Sequence, residues 1–445
     1  MGAAGGPGRV RREAERDKAE DVEEGAMTER SEIVVVGGGP VGACAAYFLA
    51  TGGASVTLLE KEHEVCPPTS GAHANCGLLV PGDVEPLAAP GALGKGLRWM
   101  RDSSSPFYIA PRPSPDLVRW LWLFRAAATS ARASAAAPVL RALHVASAAL
   151  HDELARDHGE RWLFHHDGIV QAYEAPEAMA QACEEAEVAR GFGVRADVLA
   201  ESDVRERFPG MRGAVAGGIF FPEDGHLDPM LFTREVAGLA AAAGADVRRG
   251  AEAIALEPEA DGVRVVTTRG DIVAGQVVLA AGAWTPALSR GLGLRLPIEP
   301  AKGYSVDVER PADFPELPLY LGDAHCVLTP LGDALRLGST LELSGWDMTI
   351  RRKRVERLRR AGERVMGIPA DGPVRQIWRG PRPVTPDGLP VIGRVPGRER
   401  VIVASGHCML GLSLGPVTGR LVAELAGGAR PSLDLAPLSP SRFRA

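Results

Sequence analysis

The chain has 445 residues, of which 45% are hydrophobic and 24% charged, and its formal net charge is -6. This length suits two or three domains with buried cores, and the acidic balance argues against nucleic acid as a partner. The six cysteines form no C-x-x-C pair, and no His/Cys group has zinc spacing. We therefore expect no metal site, and a reducing cytoplasm is the default location.

Residues 1–30 lack an apolar signal core and are rich in Gly, Ala, Arg and Glu, which predicts a disordered N-terminal extension. Met27 offers an alternative start to Met1. By sequence, no apolar run reaches the length of a membrane span. Residues 117–124 are apolar and rich in tryptophan, but Arg119 interrupts them, which predicts a buried or interfacial helix.

A strand–turn–helix–strand unit follows. The β-branched run at 33–36 predicts a strand buried on both faces. The turn GGGPVG at 37–42 leads into an apolar helix over 43–50, and a second strand over 55–59 ends at Glu60. This order is typical of a Rossmann-like dinucleotide-binding unit.

The turn residues predicted to hold a pyrophosphate are Gly37, Gly39, Pro40, Val41 and Gly42. The first glycine allows the tight turn, the second lets the backbone approach a phosphate, and the third lets helix and strand pack closely. The helix N-terminus adds unpaired N–H groups and a positive dipole. Glu60 is placed to accept hydrogen bonds from ribose hydroxyls. A glycine-rich turn without a ligand is the alternative.

The remaining elements are predicted as follows. A Pro- and Gly-rich loop covers 81–115, a helical region covers 117–193, and further helices cover 229–243, 350–366 and 417–425. Strands are expected at 246–249, 253–258, 263–268, 276–280, 303–308, 324–328, 334–339 and 401–404. The basic run at 351–354 predicts a solvated helix face, because charged runs are usually exposed.

Five segments resemble one family. They are the unit at 33–60, TSGAHANCG at 69–77, AAPGALGKGLRWMRDSSSPFYIAPR at 88–112, AKGYS at 301–305, and WRGPRPVTPDGLPVIG at 378–393 followed by SGHCMLGL at 405–412. Together they resemble the D-amino-acid oxidase superfamily of FAD-dependent oxidoreductases, and within it the branch of bacterial D-amino-acid dehydrogenase small subunits. Cys76 and Cys408 stand where Ala or Gly is usual, and Pro381 replaces a Leu.

The resemblance implies an α/β, two-lobed flavoprotein with a Rossmann-like FAD-binding domain and a substrate domain built on a mixed or antiparallel sheet. The FAD-binding domain is expected to be discontinuous, over 31–85, 225–297 and 372–430. The substrate domain is expected over 86–224 and 298–371, followed by a C-terminal tail over 431–445.

The resemblance also implies the cofactor and further residues that contact it. FAD is expected to be non-covalent, because the cysteine of covalently flavinylated relatives falls in a segment that has no cysteine here. Besides the glycine turn and Glu60, the expected contacts are Lys61, Ser70, Asn75, Ile254, Gly282, Gly406, Leu410, Gly411, Leu412 and Ser413.

Three residues are candidates for catalysis. Arg382 is expected to clamp a substrate carboxylate with two parallel hydrogen bonds, and the alternative is a pairing with Asp387 or a structural carbonyl. Tyr304 adds a hydroxyl to the pocket or simply packs in the core. His407 stabilises negative charge on the reduced flavin or makes a local hydrogen bond.

The implied reaction is oxidative deamination of D-amino acids, including D-proline-type secondary amines, by hydride transfer to flavin. A glycine or sarcosine oxidase and a flavin-binding subunit of a hetero-oligomeric dehydrogenase are the alternatives. The dehydrogenase branch favours a quinone or protein electron acceptor over oxygen. The expected location is cytoplasmic, and peripheral contact with the inner face of the cell membrane stays open.

Overall fold

A computed structural model describes residues 29–89, 105 and 107–443. Most of the predicted extension over 1–30 therefore lies outside the described residues, as do residues 90–104 and 106 of the segment at 88–112. Residues 29 and 30 already belong to the first strand, so the first element begins slightly before the expected boundary.

Nineteen strands and nine α-helices occur in the described ranges. The strands are β1 Glu29–Val36, β2 Val56–Glu60, β3 Leu78–Leu79, β4 Phe107–Ile109, β5 Ile169–Tyr173, β6 Asp197–Leu199, β7 Gly217–Phe221, β8 Gly225–His226, β9 Asp246–Arg249, β10 Ala253–Pro258, β11 Val263–Thr267, β12 Ile272–Leu279, β13 Glu299–Glu309, β14 Leu319–Leu321, β15 Cys326–Leu331, β16 Ala334–Leu343, β17 Gln376–Val384, β18 Val391–Val395 and β19 Arg398–Ser405. The helices are α1 Pro40–Thr51, α2 Pro115–Ala127, α3 Ser130–His158, α4 Pro176–Arg190, α5 Glu201–Arg207, α6 Pro229–Ala242, α7 Thr285–Arg290, α8 Arg352–Met366 and α9 Gly415–Ala426.

The first sheet has eight strands around a parallel centre. Its order is β10-β11-β12-β1-β2-β9, with β19 also paired to β12 and β18 paired to β19. Strand β1 pairs in parallel with β2 and β12, and Val34 and Val35 are fully buried on opposite faces. Helix α1 packs against α6 and α9 beside this sheet. The predicted βαβ unit is confirmed.

The second sheet has nine strands and is mainly antiparallel. Its order is β17-β13-β16-β15-β14-β5-β7-β6, with β4 paired to β16. The pairs β14–β5 and β16–β4 are parallel, so the sheet is mixed, as expected. Strand β5 falls inside the region 117–193 that we expected to be helical, and that expectation was wrong there. The run is too short to distinguish strand from helix by periodicity.

Strand β17 belongs to the second sheet, although residues 372–430 were assigned to the FAD-binding domain. It pairs with β13 over nine positions, from Glu299 opposite Val384 to Asp307 opposite Gln376. Sequence order cannot reveal such a pairing, because β17 is followed directly by strands of the first sheet. Otherwise the division into domains stays a prediction.

Helix α3 and the short turn after it, residues 130–162, are long and apolar enough to cross a membrane, judged by length and composition. This corrects our expectation that no segment has that length. The Ser147 hydroxyl donates a hydrogen bond to the Ser413 carbonyl at 2.6 Å, and Leu140 packs in one cluster with Leu414 and Leu421. In this structure α3 packs against the segment that carries the candidate site.

A buried ionic cluster lies between β13, β16 and α8. Glu342 is fully buried, with Lys302 Nζ at 3.7 Å and Arg354 Nε at 3.2 Å. Arg351 Nε lies 2.9 Å from the same carboxylate, and the Tyr304 hydroxyl donates to it at 2.9 Å. The basic run at 351–354 is therefore partly buried, which corrects the expectation of a fully solvated helix face.

Candidate functional site

A cavity of about 400 Å³ lies at the carboxyl ends of β1, β2 and β12. This is the edge of a parallel sheet at which ligands bind in open α/β folds. Most of the residues predicted from the sequence line it: Gly37, Gly39, Pro40, Val41, Glu60, Lys61, Ser70, Asn75, Ile254, Gly282, Arg382, His407, Gly411 and Leu412. These residues come from six separate parts of the chain, and the fold brings them together.

The glycine turn has space for a ligand beside Gly39 and is closely packed at Gly42. Gly37 has φ of +111°, which favours glycine. A Cβ on Gly42 would lie 1.8 Å from the Gly37 carbonyl oxygen, so helix and strand pack as the pattern predicted. A Cβ on Gly39 would meet nothing within 4 Å. Gly39 is also the N-cap of α1, so the positive end of that helix faces the cavity.

The carboxylate of Glu60 is held in place by backbone donors. Its Oε2 accepts the Gly38 N–H at 2.9 Å, and its Oε1 accepts the Glu62 N–H at 3.0 Å. Burial raises the pKa of Glu60, and both N–H donors oppose that change. Each carboxylate oxygen can accept further hydrogen bonds. The Glu60 carboxylate is thus fixed in position with acceptor capacity left over, as the predicted hydrogen bonds from ribose hydroxyls require.

A tryptophan that the sequence analysis did not single out borders the same end of the cavity. Lys61 Nζ lies 4.0 Å from the centroid of the Trp284 ring, a cation–π distance. Ile254 is 58% exposed at this end, and Gly282 has a φ of +52°. Trp284 comes shortly after the strand predicted at 276–280 and after Gly282, so its position in the sequence was a usable signal.

Arg382 lies at the other end of the cavity and carries a buried positive charge. Its Nη1 donates to the Thr340 carbonyl at 2.5 Å, and a Cβ on Gly303 would lie 2.4 Å from its Cζ. Asp387 is paired with Arg442 instead, at 2.8 Å, so the alternative pairing with Asp387 is wrong. In the part of the chain described, Arg382 forms no ion pair.

The desolvated guanidinium favours an anion from the cavity. Burial lowers the pKa of Arg382, yet arginine keeps its charge at neutral pH. An uncompensated buried charge is costly, so a carboxylate that pairs with it gains more than it would in water. The alternative of a structural carbonyl applies to one donor of Arg382, because the Thr340 carbonyl accepts a hydrogen bond from it. The guanidinium still lines the cavity.

Thr340 supports Arg382 from an unusual backbone conformation. Its φ is +90°, which is rare for a β-branched residue, and it lies beside a register shift between β13 and β16. Its buried hydroxyl has no hydrogen-bond partner within the described residues. Strained backbone of this kind clusters at ligand sites. No local sequence signal predicted it, because the conformation depends on strand pairing.

His407 and Cys408 line the cavity with uncharged groups. Burial lowers the pKa of His407 to about 3, so the imidazole is neutral near pH 7, and its Nε2 lies 2.9 Å from the Thr418 hydroxyl. Burial raises the pKa of Cys408 to about 11. A protonated thiol is a poor nucleophile, which favours the prediction of non-covalent FAD.

Five predicted residues do not line the cavity: Gly42, Gly406, Leu410, Ser413 and Tyr304. Gly42 serves helix packing, as described above. A Cβ on Gly406 would meet the Thr385 side chain at 2.7 Å. Leu410 packs in a hydrophobic cluster, and the Ser413 hydroxyl accepts the Val80 N–H at 3.3 Å. The Tyr304 ring is fully buried against Glu342, so its plain packing role is the one the structure supports.

Comparison with known proteins identifies the family. The family model DAO, described as FAD dependent oxidoreductase, matches residues 32–425. The chain belongs to this family. A D-amino acid dehydrogenase of Granulibacter bethesdensis is 31% identical over 427 residues, which cover 92% of this chain and 99% of the relative. One of Paramagnetospirillum magneticum is 34% identical over 421 residues, with 93% and 99% covered.

A solved structure of glycine oxidase from Geobacillus kaustophilus is also similar. It has a TM-score of 0.76 and 26% identity, and the match covers 94% of this chain and 100% of that one. As a DAO family member, the protein is an FAD-dependent oxidoreductase with the two-domain flavoenzyme fold. The glycine turn, Glu60 and the open space at Gly39 fit FAD as the cofactor.

The two glycines of the turn provide a paired test. Alanine at Gly39 adds a methyl group to the cavity alone, so we expect a steric conflict of about 1–3 kcal/mol with bound FAD. That conflict weakens FAD binding by roughly ten- to a hundredfold and leaves the apoprotein Tm unchanged. Alanine at Gly42 clashes with Gly37 and lowers the Tm with or without FAD. Flavin fluorescence titration and circular dichroism melting measure both effects. Unchanged FAD affinity in Gly39→Ala would contradict this assignment.

Proposed function

We propose that this protein catalyses oxidative deamination of D-amino acids, including D-proline-type secondary amines. The observation that carries the proposal is the buried Arg382 guanidinium, which faces the cavity and has no carboxylate partner among the described residues. An α-carboxylate matches the planar fork of arginine. The relatives named D-amino acid dehydrogenase, similar over their whole length, support this substrate class.

The protein chain mainly holds the substrate in position in a site shielded from water. FAD, when bound, supplies the acceptor for a hydride. Arg382 holds the substrate carboxylate, while Gly303 and the Thr340 carbonyl fix the guanidinium from two sides. His407 is neutral near pH 7, so it acts as a hydrogen-bonding group and carries no proton to donate as a cation. Holding reactants in one geometry accounts for much of such a rate enhancement. For a primary D-amino acid the imine product then hydrolyses in water to a keto acid and ammonia.

A glycine or sarcosine-type amine oxidase is the second candidate. The similarity to the glycine oxidase of Geobacillus kaustophilus favours it. The carboxylate clamp serves either substrate class, because both carry an α-carboxylate. The difference lies in the space for a side chain beside Arg382, where Cys408 and Met409 line the cavity.

We further propose a quinone or protein carrier as electron acceptor, with a hetero-oligomeric dehydrogenase as the alternative assembly. The name dehydrogenase of the relatives supports an acceptor other than oxygen. A cytoplasmic location with peripheral contact at the inner face of the cell membrane is consistent with helix α2. There Val118 and Trp122 are each 65% exposed, beside the exposed Arg125. Exposed tryptophan and arginine on one helix suit an anionic membrane surface.

Substitution of Arg382 tests the carboxylate clamp. Arg382→Lys keeps the charge and loses the planar fork, so we expect the KM to rise by roughly ten- to a hundredfold, as for loss of a charged hydrogen bond of about 1.5–3 kcal/mol. FAD content stays unchanged, because the charge lies at the substrate end. Steady-state kinetics and the flavin spectrum report both quantities.

Arg379→Lys is the matched control for this substitution. Arg379 lies on the same strand, and its Nε donates to the Met348 carbonyl at 3.0 Å, away from the cavity lining. Its KM should stay near that of the parent protein. Equal kinetics for the parent and Arg382→Lys would remove Arg382 as the clamp.

An anaerobic flavin-bleaching screen tests the substrate class and the acceptor. D-amino acids or D-proline analogues should bleach the holoenzyme, whereas L-enantiomers should leave it yellow. Bleaching by glycine or sarcosine alone would support the second candidate. Subsequent addition of air or of a soluble quinone separates the acceptors, because rapid reoxidation by air identifies an oxidase. A yellow protein that no amine bleaches would point to a subunit that needs its partner.

Sedimentation with lipid vesicles tests the membrane contact. We expect the holoenzyme to sediment with vesicles that contain phosphatidylglycerol and to lose at least half of that binding in Trp122→Ser. Trp120→Phe is unsuitable as a control because Trp120 is buried, so the exposed Val188→Ser on helix α4 serves instead. Absence of binding to anionic vesicles would refute the proposed membrane contact and leave the reaction untouched.

A further inference from the structure

Three potential metal ligands meet at a position outside the cavity. They are His165, His226 and Glu316, whose ligand atoms all lie within 4.8 Å of one another. His226 belongs to β8, His165 faces it across an antiparallel β-bridge, and Glu316 precedes β14. None of them lines the cavity. From the sequence we expected no metal site, because no His/Cys group has zinc spacing.

His226 presents a nitrogen that nothing else uses. Its side chain is 1% exposed, and its Nε2 has no hydrogen-bond partner within the described residues. An imidazole nitrogen is the commonest protein ligand for metal ions.

The burial of His226 makes its unpartnered Nε2 a candidate ligand. An unpaired buried nitrogen of this kind is costly to leave alone, since buried polar groups are nearly always satisfied. A bound cation would satisfy it.

The His165 ring lies parallel to that of His226 and has a carboxylate oxygen near each of its nitrogens. The ring centroids are 4.9 Å apart with an angle of 8° between the planes. Asp167 Oδ2 lies 3.8 Å from His165 Nδ1, and Glu316 Oε2 lies 3.9 Å from His165 Nε2. Asp167 thus stands behind the ring, and Glu316 stands at the nitrogen that faces the cluster.

Arg310 places a positive charge next to the cluster of His165, His226 and Glu316. It pairs with Glu316 Oε1, and it also donates to the Phe314 and Gly332 carbonyls, which fix its position. Glu316 Oε2 remains on the side of the histidines. A cation bound at the cluster would be repelled by the positive charge of Arg310. Its bonds to the ligands must outweigh this repulsion, which favours a metal with high affinity for imidazole.

We propose that His165 Nε2, His226 Nε2 and Glu316 Oε2 form a site for a late divalent transition metal such as Zn²⁺, with water as the fourth ligand. Two histidines and one carboxylate are a known zinc set, and imidazole also suits Ni²⁺ and Cu²⁺. Bonds of about 2.0–2.1 Å place ligand atoms about 3.3 Å apart in a tetrahedron. The exposed Glu316 and half-exposed His165 can close that gap by side-chain rotation.

The site would stabilise the fold without taking part in the reaction. It joins β8, which pairs with β3, to the segment before β14 in the second sheet. A ligand that binds the folded state alone raises the Tm with its concentration. The catalytic rate should not depend on the metal, because no ligand residue contacts the cavity.

Calorimetric titration of chelator-treated holoenzyme with ZnCl₂ tests the proposal. We expect one equivalent to bind and to raise the Tm. His165→Gln and Glu316→Gln each remove one ligand and should weaken Zn²⁺ binding at least about tenfold. Removal of a residue that only hydrogen-bonds to a metal ligand already weakens metal binding by about that factor. His63→Gln is the matched control, since His63 is exposed and lies outside the cluster, and it should bind Zn²⁺ as the parent does.

Folding is checked independently of the metal. FAD content and the Tm in chelator should be equal in the parent, His165→Gln, Glu316→Gln and His63→Gln. His226 is left unchanged because its burial makes a folding defect the expected result of replacement. No Zn²⁺ binding by the parent would overturn the proposal, as would equal binding in His165→Gln and Glu316→Gln.

Discussion

The placement of Arg382 ties the two sheets of this protein to one site. The residue sits near the end of β17, which pairs with β13 in the second sheet, while its guanidinium lines a cavity at the edge of the first sheet. Gly303 on β13 and the Thr340 carbonyl on β16 define where the charge can lie. A buried cation without a carboxylate beside it is unfavourable, so this geometry makes sense only with an anionic ligand.

The loop before β3 completes the connection between the sheets. A Cβ on Gly71 would lie 2.3 Å from the Pro381 carbonyl oxygen, so the loop contacts β17 without space for a side chain. The Trp378 indole donates to the Pro68 carbonyl at 3.0 Å. On the other side, the Cys408 N–H donates to the Pro383 carbonyl at 3.0 Å. Backbone contacts on both flanks of β17 thus hold the substrate end of the cavity together.

Alternate side chains of β13 face either Arg382 or the buried ionic cluster. Gly303 faces the Arg382 guanidinium, whereas Lys302 and Tyr304 face the buried cluster around Glu342. Successive residues of a strand point to opposite faces, so the motif Lys-Gly-Tyr-Ser serves two purposes at once. The buried charges on the far side help to specify how α8 packs, and the glycine leaves the near side open for the arginine.

The nucleotide end of the site could be predicted residue by residue. Gly37, Gly39, Gly42 and Glu60 lie within about thirty residues, and a βαβ unit fixes their relative positions through local hydrogen bonds and packing. The substrate end was only partly predictable. Arg382 and His407 were found through family resemblance, but the assignment of Tyr304 to the cavity depended on the face of a strand, which a sequence does not show for a strand buried on both sides.

The sequence by itself determined the βαβ unit and the order of most elements, because these follow from local periodicity and short motifs. The tertiary structure alone decided that β17 joins the second sheet, that Thr340 adopts a positive φ to hold Arg382, and that Arg354 is buried although it lies in a basic run. It also decided that His165, His226 and Glu316 meet. The reason is the same in each case: these features depend on pairings between segments distant in the chain, and such pairings leave no periodic trace in the segments themselves.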